Sequence, residues 1–236
     1  MNNKFSARLT GLPVATTRDA LAREQDEFER RRRAGLLERR ADEAGVPRQA
    51  SLRRVAICEG LVETDAMRAV AEALSWRSGR GSEFGTQEMT RVVAGRPGTG
   101  KSAACARAVV RHPASSAYVT AVEIAATPRN AFSVNEERWL RWLDVDLLAL
   151  DDAGTEGGDP GVIRTLLVQR HDAGRATFVT TNAAKGEFVK RYFDGRLADR
   201  LKGGQESEGL EWFVSVEGSS LRDPSALAAL ARKSNS

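Results

Sequence analysis

Eight residues near the middle of the chain, GRPGTGKS at positions 95 to 102, constrain the fold more than any other part of the sequence. They satisfy the pattern G-x-x-x-x-G-K-[ST], follow the short apolar run RVVA and precede AACARAVV, which has the composition of a helix. Glycines let the backbone curl so that successive N–H groups point at one phosphate, and the positive end of the following helix strengthens that anion site. This order of strand, loop and helix predicts a phosphate-binding loop within a parallel α/β sheet.

The side chains of this loop have expected roles in binding a nucleoside triphosphate. Lys101 would supply a positive charge to the β- and γ-phosphates, and the Ser102 hydroxyl would occupy a coordination position on Mg²⁺. We therefore expect ATP and Mg²⁺ as cofactors. The residues expected to contact the nucleotide are Gly95, Arg96, Pro97, Gly98, Thr99, Gly100, Lys101 and Ser102.

Acidic and amide side chains follow two later apolar runs. The run LLAL leads into Asp151 and Asp152, and the run ATFVTT ends just before Asn182. Carboxyl ends of neighbouring parallel strands share one edge of a sheet, so these side chains are expected beside the phosphate-binding loop. Asp151 is predicted to hold the Mg²⁺ shell, Asp152 to orient the attacking water, and Asn182 to bind the γ-phosphate or that water.

Short apolar runs at wide intervals, with helical patterns between them, predict the architecture. Strands that alternate with helices need crossover connections and form a parallel sheet buried on both faces. The expected fold class is therefore α/β, a P-loop nucleoside triphosphatase (NTPase) with a parallel five-stranded sheet sandwiched by helices. The predicted strands lie at 91–95, 117–121, 146–151, 176–181 and 212–216. Before them, Met67, Val70, Ala71 and Leu74 are spaced as one inward-facing side of a helix.

The N-terminal segment differs in composition from the rest of the chain. Residues 1–54 carry 13 Lys and Arg against 8 Asp and Glu, a net charge of +5 within a total of +4, so the remainder is close to neutral. The stretch from Arg18 to Ala44 has strong helix formers, dense charge of both signs and few apolar anchors, which predicts an extended helix or helical pair. We expect a helical partner-binding segment at 1–45 and the ATPase domain at 46–236. Its basic face could contact a phosphate backbone or an acidic protein, or simply be solvated.

Bulk composition excludes several other classes of protein. No apolar run approaches the roughly 20 residues that a bilayer span requires, and the first residues lack the apolar core of a secretion signal. Two cysteines, Cys58 and Cys105, and two histidines offer no spacing typical of a zinc site. We therefore expect a cytoplasmic protein without a membrane partner.

Two arginines follow Asn182 in GRLADRL. Arg196 and Arg200 are four residues apart and therefore share one face of a helix. An arginine supplied by a neighbouring subunit stabilises the charge that develops on the γ-phosphate and raises hydrolysis by roughly 10³ to 10⁵. The alternative is that these arginines form surface ion pairs, which contribute little.

The order of these motifs resembles the DnaC, DnaI and IstB group of AAA+ ATPases, which are bacterial and phage helicase loaders and their transposition relatives. The resemblance covers about residues 45 to 223 and rests on GRPGTGKS, DVDLLALDDAG, TTN, DGRLADRL and the late SSLRD. It implies that Asn182 is the sensor 1 residue, that Arg200 is the arginine finger with Arg196 beside it, and that Arg222 occupies the sensor 2 position and contacts nucleotide. Asp152 stands where many AAA+ enzymes have Glu.

The resemblance also implies partners. In the loaders, an extra helical element after the second strand touches single-stranded DNA, and Arg129 and Phe132 stand at the matching spacing; the alternative places Phe132 in the core. A loader would deliver a hexameric, DnaB-like replicative helicase through residues 1–45 and self-associate through the ATPase interface. The main alternative is an IstB-like transposition helper that acts with a transposase on duplex DNA. A second is a nucleotide-gated binding module that does not hydrolyse ATP.

Overall fold

The computed structural model describes residues 14–57, 63–79, 89–127, 136–193, 195–202, 209–218 and 220. Within them the chain forms helices and strands in alternation, as the sequence predicted. The strands are β1 (Thr90–Ala94), β2 (Ser116–Thr120), β3 (Leu147–Ala153), β4 (Ala176–Thr181) and β5 (Phe213–Ser215). The helices are α1 (Val14–Glu43), α2 (Ala50–Ile57), α3 (Asp65–Gly79), α4 (Lys101–Arg111), α5 (Ala121–Ala125), α6 (Glu136–Asp144), α7 (Gly161–Asp172), α8 (Lys185–Tyr192) and α9 (Gly195–Leu201).

The strands make one five-stranded sheet in the order β2-β3-β4-β1-β5. Every pairing between neighbours is parallel, so all carboxyl ends lie at the same edge. The sheet is sandwiched by helices, with one apolar cluster on each face. The predicted α/β class and parallel sheet are confirmed.

The two clusters assign the helices to opposite faces of the sheet. The helices α2, α3 and α4 and the end of α1 pack on one face, and α4 contacts each of the other three. The helices α5 to α9 cover the other face. There, fully buried Arg170 donates to the carbonyl oxygens of Trp142, Val145 and Ala176, so it ties the end of α6 to the sheet.

The helix α1 is continuous, and from residue 20, where its side chains are described, it is anchored at its carboxyl end. Leu37, Ala41 and Ala44 are buried in the core, whereas residues 20–36 are exposed throughout. Arg40 near its end donates to the carbonyl oxygen of His112, which directly follows α4. No helix in the described part of the chain has the length and apolarity needed to span a membrane.

The inward face of α3 differs from the expected one. Ala66, Ala69, Val70 and Ala73 are buried, whereas Ala71 is exposed. Met67 and Leu74 pack against the core as predicted, so the buried face is wider than expected and is shifted toward the alanines. Small side chains on this face permit close contact with α4 and β1, and the prediction for Ala71 is therefore wrong.

Candidate nucleotide-binding site

The phosphate-binding loop connects buried β1 to α4, which begins at Lys101 as predicted. Gly98 and Gly100 have φ angles of 89° and 88°, in the left-handed region that glycine enters without steric cost. Lys101 is buried, and its ammonium group donates to the carbonyl oxygens of Gly95 and Arg96 at 2.8 and 2.9 Å. A buried cation therefore lies inside the curl of the loop.

Other residues of the loop close its turn and face solvent. The Thr99 hydroxyl is buried and donates to the Arg96 carbonyl oxygen at 3.0 Å. Arg96 and Pro97 are exposed, and Ser102 is half-buried in the first turn of α4. The N-terminal end of α4, with Ser102 in its first turn, therefore lies at the carboxyl edge of the sheet.

Asp151 is held in a fixed orientation near the end of β3. Its carboxylate is buried and accepts hydrogen bonds from the Tyr118 hydroxyl of β2 and the Thr180 hydroxyl of β4, each at 2.5 Å. The two donors engage different carboxylate oxygens and come from the strands on either side. Asp151 therefore has little freedom to rotate.

A β-bulge separates the two aspartates. The register between β3 and β4 shifts between Leu150 and Ala153, and Asp152 has a φ of 59°, uncommon for a residue other than glycine. Its N–H donates to the Thr180 hydroxyl at 2.8 Å. Because of the bulge, Asp151 stays buried while Asp152 is exposed at the edge of the sheet.

Asn182 joins the phosphate-binding loop to the acidic pair. Its side-chain oxygen accepts a hydrogen bond from the Lys101 ammonium at 3.0 Å, and its amide nitrogen donates to the Asp152 carboxylate at 3.4 Å. Asn182 directly follows β4, which lies between β1 and β3. The structure thus brings Lys101, Asn182 and Asp152 into one hydrogen-bonded chain.

The charges of the site shift the pKa values of two buried groups. Burial raises the pKa of the Cys105 thiol in α4; the Asp151 charge raises that pKa further, while the Lys101 charge lowers it. Burial also raises the pKa of the Tyr118 hydroxyl, as do the charge of Asp151 and its hydrogen bond. Tyr118 therefore stays protonated and remains a donor.

The described side chains fit a magnesium nucleotide. The Lys101 ammonium suits phosphate oxygens, while the Asp151 carboxylate and the Ser102 hydroxyl are oxygen ligands of the kind that Mg²⁺ prefers. A bound magnesium ion would neutralise charge on the phosphates. Asp151 and Ser102 would hold the ion; these roles stay predictions from the chemistry of the donors.

Tyr118 provides a test of how Asp151 is positioned. Tyr118→Phe keeps the buried ring but removes one donor, so we expect the free energy of unfolding to fall by about 1–3 kcal/mol. The Mg²⁺ concentration for half-maximal hydrolysis should rise several-fold, because the carboxylate is less well oriented. Urea denaturation and a Mg²⁺ titration measure the two effects. Thr165→Ala removes an exposed hydroxyl from α7 and should change neither; equal effects of both variants would contradict the positioning role.

The loop is packed against the chain that follows β5. A Cβ added to Gly98 would lie 2.1 Å from the Ser220 hydroxyl oxygen and 2.9 Å from the Ser220 Cβ. Upstream, the Val216 N–H donates to the Ala94 carbonyl oxygen at 2.7 Å. The segment after β5 therefore follows β1 as far as the phosphate-binding loop.

This close approach makes Gly98 intolerant of a side chain. Gly98→Ala combines an unfavourable φ with a steric overlap, so we expect a loss of unfolding free energy on the order of 1–3 kcal/mol and weaker nucleotide binding. Gly186→Ala is the matched control, because nothing lies within 4 Å of a Cβ at that position in α8. Denaturation and nucleotide titration should separate the two variants; a neutral Gly98→Ala would show that the overlap is relieved without cost.

Arg200 lies on α9 and forms an ion pair with Asp172 at the end of α7. Both side chains are 51% exposed, and a pair of this kind contributes roughly 0–1 kcal/mol. Within a single chain, Arg200 therefore forms the surface ion pair named as the alternative. Little energy is needed for Arg200 to leave Asp172 and bind another anion. Arg196 is also on α9, but its side chain lies outside the described part of the structure.

Three predicted site residues lie outside the described residues: Arg129, Phe132 and Arg222. The structure therefore neither brings them to the site nor separates them from it. Of the other predicted residues, those of the loop, Asp151, Asp152 and Asn182 meet at one edge of the sheet.

Sequence analysis missed the residues that support the site. Besides Tyr118, buried Glu156 accepts hydrogen bonds from the Gly154 N–H and from Arg191, both at 2.9 Å, and from Tyr192. Burial alone would raise the pKa of Glu156, but these hydrogen bonds outweigh it and lower that pKa. Glu156 thus ties the loop after β3 to α8. A polar tyrosine inside an apolar strand was the one available signal, since a buried hydroxyl needs a partner.

Comparison with known proteins adds to this geometry. No protein-family model matches the sequence, and no curated protein matches it. The solved structure of a proposed primosome component from Streptococcus pyogenes serotype M3 superposes with a TM-score of 0.51 at 18% identity, over 74% of this chain and 99% of that one. This chain has the fold of the AAA+ P-loop ATPases.

Two further solved structures are similar to this ATPase fold. DnaI is 21% identical with a TM-score of 0.45, over 64% of this chain and 84% of that one. AMPPCP-bound DnaA from Aquifex aeolicus is 19% identical with a TM-score of 0.46, over 66% of this chain. The match spans 47% of the DnaA chain, about half of its length. The superposition on the primosome component confirms, at the level of the fold, the resemblance stated from the motifs.

Proposed function

We propose that this chain is an ATP-dependent helicase loader, which binds ATP and single-stranded DNA and delivers a hexameric replicative helicase. One observation carries the ATPase part: Lys101 and Asp152 meet on Asn182, beside the buried Asp151, at the carboxyl edge of the sheet. The order of the motifs and the projecting helix α1 favour a loader over other ATPases.

ATP binding would exchange the partners of Lys101. Its ammonium group would leave the carbonyl oxygens of Gly95 and Arg96 for phosphate oxygens, while the N–H groups of the loop bind the same phosphates. Ser102 and Asp151 would hold the magnesium ion of the nucleotide. Tyr118 would keep the Asp151 carboxylate in position through its hydrogen bond.

Hydrolysis would use the two polar side chains on the exposed side of the site. Once Lys101 contacts phosphate, the Asn182 amide is available to orient a water molecule against the γ-phosphate. The Asp152 carboxylate, 3.4 Å from that amide, would accept a proton from the water. Slow turnover by a single subunit is expected, because the remaining positive charge comes from a neighbour.

Two further cations would complete the site. Arg200 would reach the γ-phosphate held by the adjacent subunit, with Arg196 beside it. Arg222 would act as sensor 2 within the same chain: it is two residues from Ser220, which packs on Gly98.

Contact with DNA is assigned to the segment between α5 and α6. Phe132 would stack on a base and Arg129 would meet a phosphate, which suits binding of single strands without sequence preference. The neighbouring helices carry Val122 and Leu140, each 52% exposed.

Residues 1–45 are the proposed docking segment for the helicase. In the described part of that segment, residues 20–36 of α1 extend away from the ATPase core and contribute none of its buried side chains. Such a helix can contact another protein without disturbing the nucleotide site. The boundary at residue 45 is part of this proposal.

One observation favours the transposition helper as a second candidate. Arg30, Arg31, Arg32 and Arg33 are all exposed on α1, and a basic run of this kind suits the phosphate backbone of duplex DNA. An IstB-like protein would use the same ATPase core with a transposase as its partner.

Co-purification and an ATPase assay distinguish these functions. We expect the full chain with ATP to recover a hexameric helicase, and single-stranded DNA to stimulate its hydrolysis. The Lys101→Ala chain is the control for nucleotide dependence. Recovery of a transposase would support the second candidate, and absence of stimulated hydrolysis would support a binding module that does not hydrolyse ATP.

A further inference from the structure

The projecting part of α1 carries an apolar stripe that its own domain leaves uncovered. Leu21, Phe28 and Leu36 are 55%, 68% and 47% exposed. At about 100° per residue they fall within an arc of roughly 80°. Exposure of three large apolar side chains along one side of a helix marks a surface for another protein.

The stripe faces away from the ATPase core. Leu37 and Ala41, which anchor α1 in the core, lie about 180° and 140° around the helix from Phe28. Folding of α1 onto its own domain buries that opposite side. A partner on the stripe would therefore lie on the side of α1 opposite Leu37 and Ala41.

Charge along the same stretch is separated into two blocks. Residues 24–29, EQDEFE, hold four acidic side chains, and residues 30–33 are four arginines. Two such helices side by side in parallel would set acid against acid and arginine against arginine. In an antiparallel arrangement centred near Phe28, the arginines of each helix lie along residues 23–26 of the other, which include Glu24 and Asp26.

We propose that α1 pairs antiparallel with α1 of a second copy of this chain. A two-fold axis beside Phe28 sets the two Phe28 rings against each other and places Leu21 of each copy opposite Leu36 of the other. On one flank of the stripe, Glu24 of each copy lies opposite Arg31 of the other. The pairs Phe28–Phe28, Leu21–Leu36 and Glu24–Arg31 require the same two-fold axis. The offsets between the two helices that they imply differ by at most about 3 Å along the helix.

The two remaining side chains between Leu21 and Leu36 that lie within this arc, Gln25 and Arg32, fit the same arrangement. Arg32 lies within the arc of the stripe, and the two-fold axis sets it opposite Gln25 of the second copy, whose amide oxygen accepts hydrogen bonds. Arg31 also pairs with Glu27 of its own helix at 2.6 Å, an exposed contact that contributes little. The pairing needs neither nucleotide nor DNA, so it goes beyond the proposed loading function.

Sedimentation of the full chain without nucleotide tests the pairing. The facing helices form an interface below the standard size, so we expect a monomer–dimer equilibrium with a Kd on the order of 1–100 µM. Phe28→Gln should raise that Kd by about 10-fold or more. Leu140→Gln is the matched control, since it removes another exposed apolar side chain, from α6, and should leave the Kd unchanged. The Lys101→Ala chain should dimerise normally, which separates this pairing from any assembly driven by ATP.

Charge reversal tests the orientation. Glu24→Arg alone and Arg31→Glu alone should each weaken the dimer, whereas an equimolar mixture of the two variants should restore it, because every pair then joins opposite charges. Circular dichroism verifies that each variant keeps its helix. A chain that stays monomeric at all concentrations, or a mixture that dimerises no better than its components, would overturn the proposal and leave the stripe to a different protein.

Discussion

Lys101→Ala is expected to abolish ATP binding by the purified chain. The ammonium group is the one cation that the described residues place inside the curl of the phosphate-binding loop. Hydrogen bonds to charged groups contribute about 1.5–3 kcal/mol each, so loss of two phosphate contacts should lower the affinity by roughly 10² to 10⁴. Titration with a fluorescent adenine nucleotide measures the change.

Two controls make this result specific. Lys190→Ala removes an exposed lysine from α8 and should bind ATP normally. Thermal unfolding of Lys101→Ala should show a folded chain. The acceptors that lose this donor are in the loop and at Asn182, at the edge of the sheet. Retention of full affinity by a folded Lys101→Ala chain would contradict the assignment of the whole site.

Arg200→Ala is expected to leave ATP binding intact and to remove stimulated hydrolysis. An arginine supplied by a neighbouring subunit contributes roughly 10³ to 10⁵ in rate. Within one chain, Arg200 contacts only the exposed Asp172 carboxylate among the contacts described, so its loss should change stability by less than about 1 kcal/mol. Steady-state ATPase rates with single-stranded DNA or partner, together with nucleotide titration, measure the two effects.

Arg68→Ala is a matched control for this variant. Arg68 is 59% exposed and forms an ion pair with Asp65, so it resembles Arg200 in environment but lies on α3, on the other face of the sheet. It should leave both binding and hydrolysis unchanged. Equal loss of ATP binding in Arg200→Ala and Lys101→Ala would contradict a role in trans for Arg200.

Local patterns were sufficient to predict the sheet and the centre of the site. Runs such as ATFVTT are short, rich in β-branched or aromatic residues and bounded by turns, and β4 matches its predicted bounds. The phosphate-binding loop could be predicted because all of its residues are contiguous in the sequence and their spacing alone determines the shape of the loop. Asp151, Asp152 and Asn182 followed from the rule that parallel strands share a carboxyl edge.

The supporting contacts could not be predicted, because they depend on register between strands. Tyr118 reaches Asp151 across the pair β2–β3, and the bulge at Asp152 appears only when β3 is aligned with β4. The apolar periodicity also placed Ala71 on the buried side of α3, because alanines occupy two adjacent sides of that helix. A small apolar residue such as Ala71 carries too little hydrophobic signal to tell which side is buried.

Helix α1 would move a partner bound at its tip farther than the ATPase core itself moves. The helix α4 begins at the phosphate-binding loop and ends beside His112, whose carbonyl oxygen accepts from Arg40 of α1. From Leu37 to Leu21 the arm extends about 24 Å beyond this pivot. A tilt of about 10° at the pivot would swing Leu21 by roughly 4 Å, so a small movement where phosphate binds becomes a large one at the far tip.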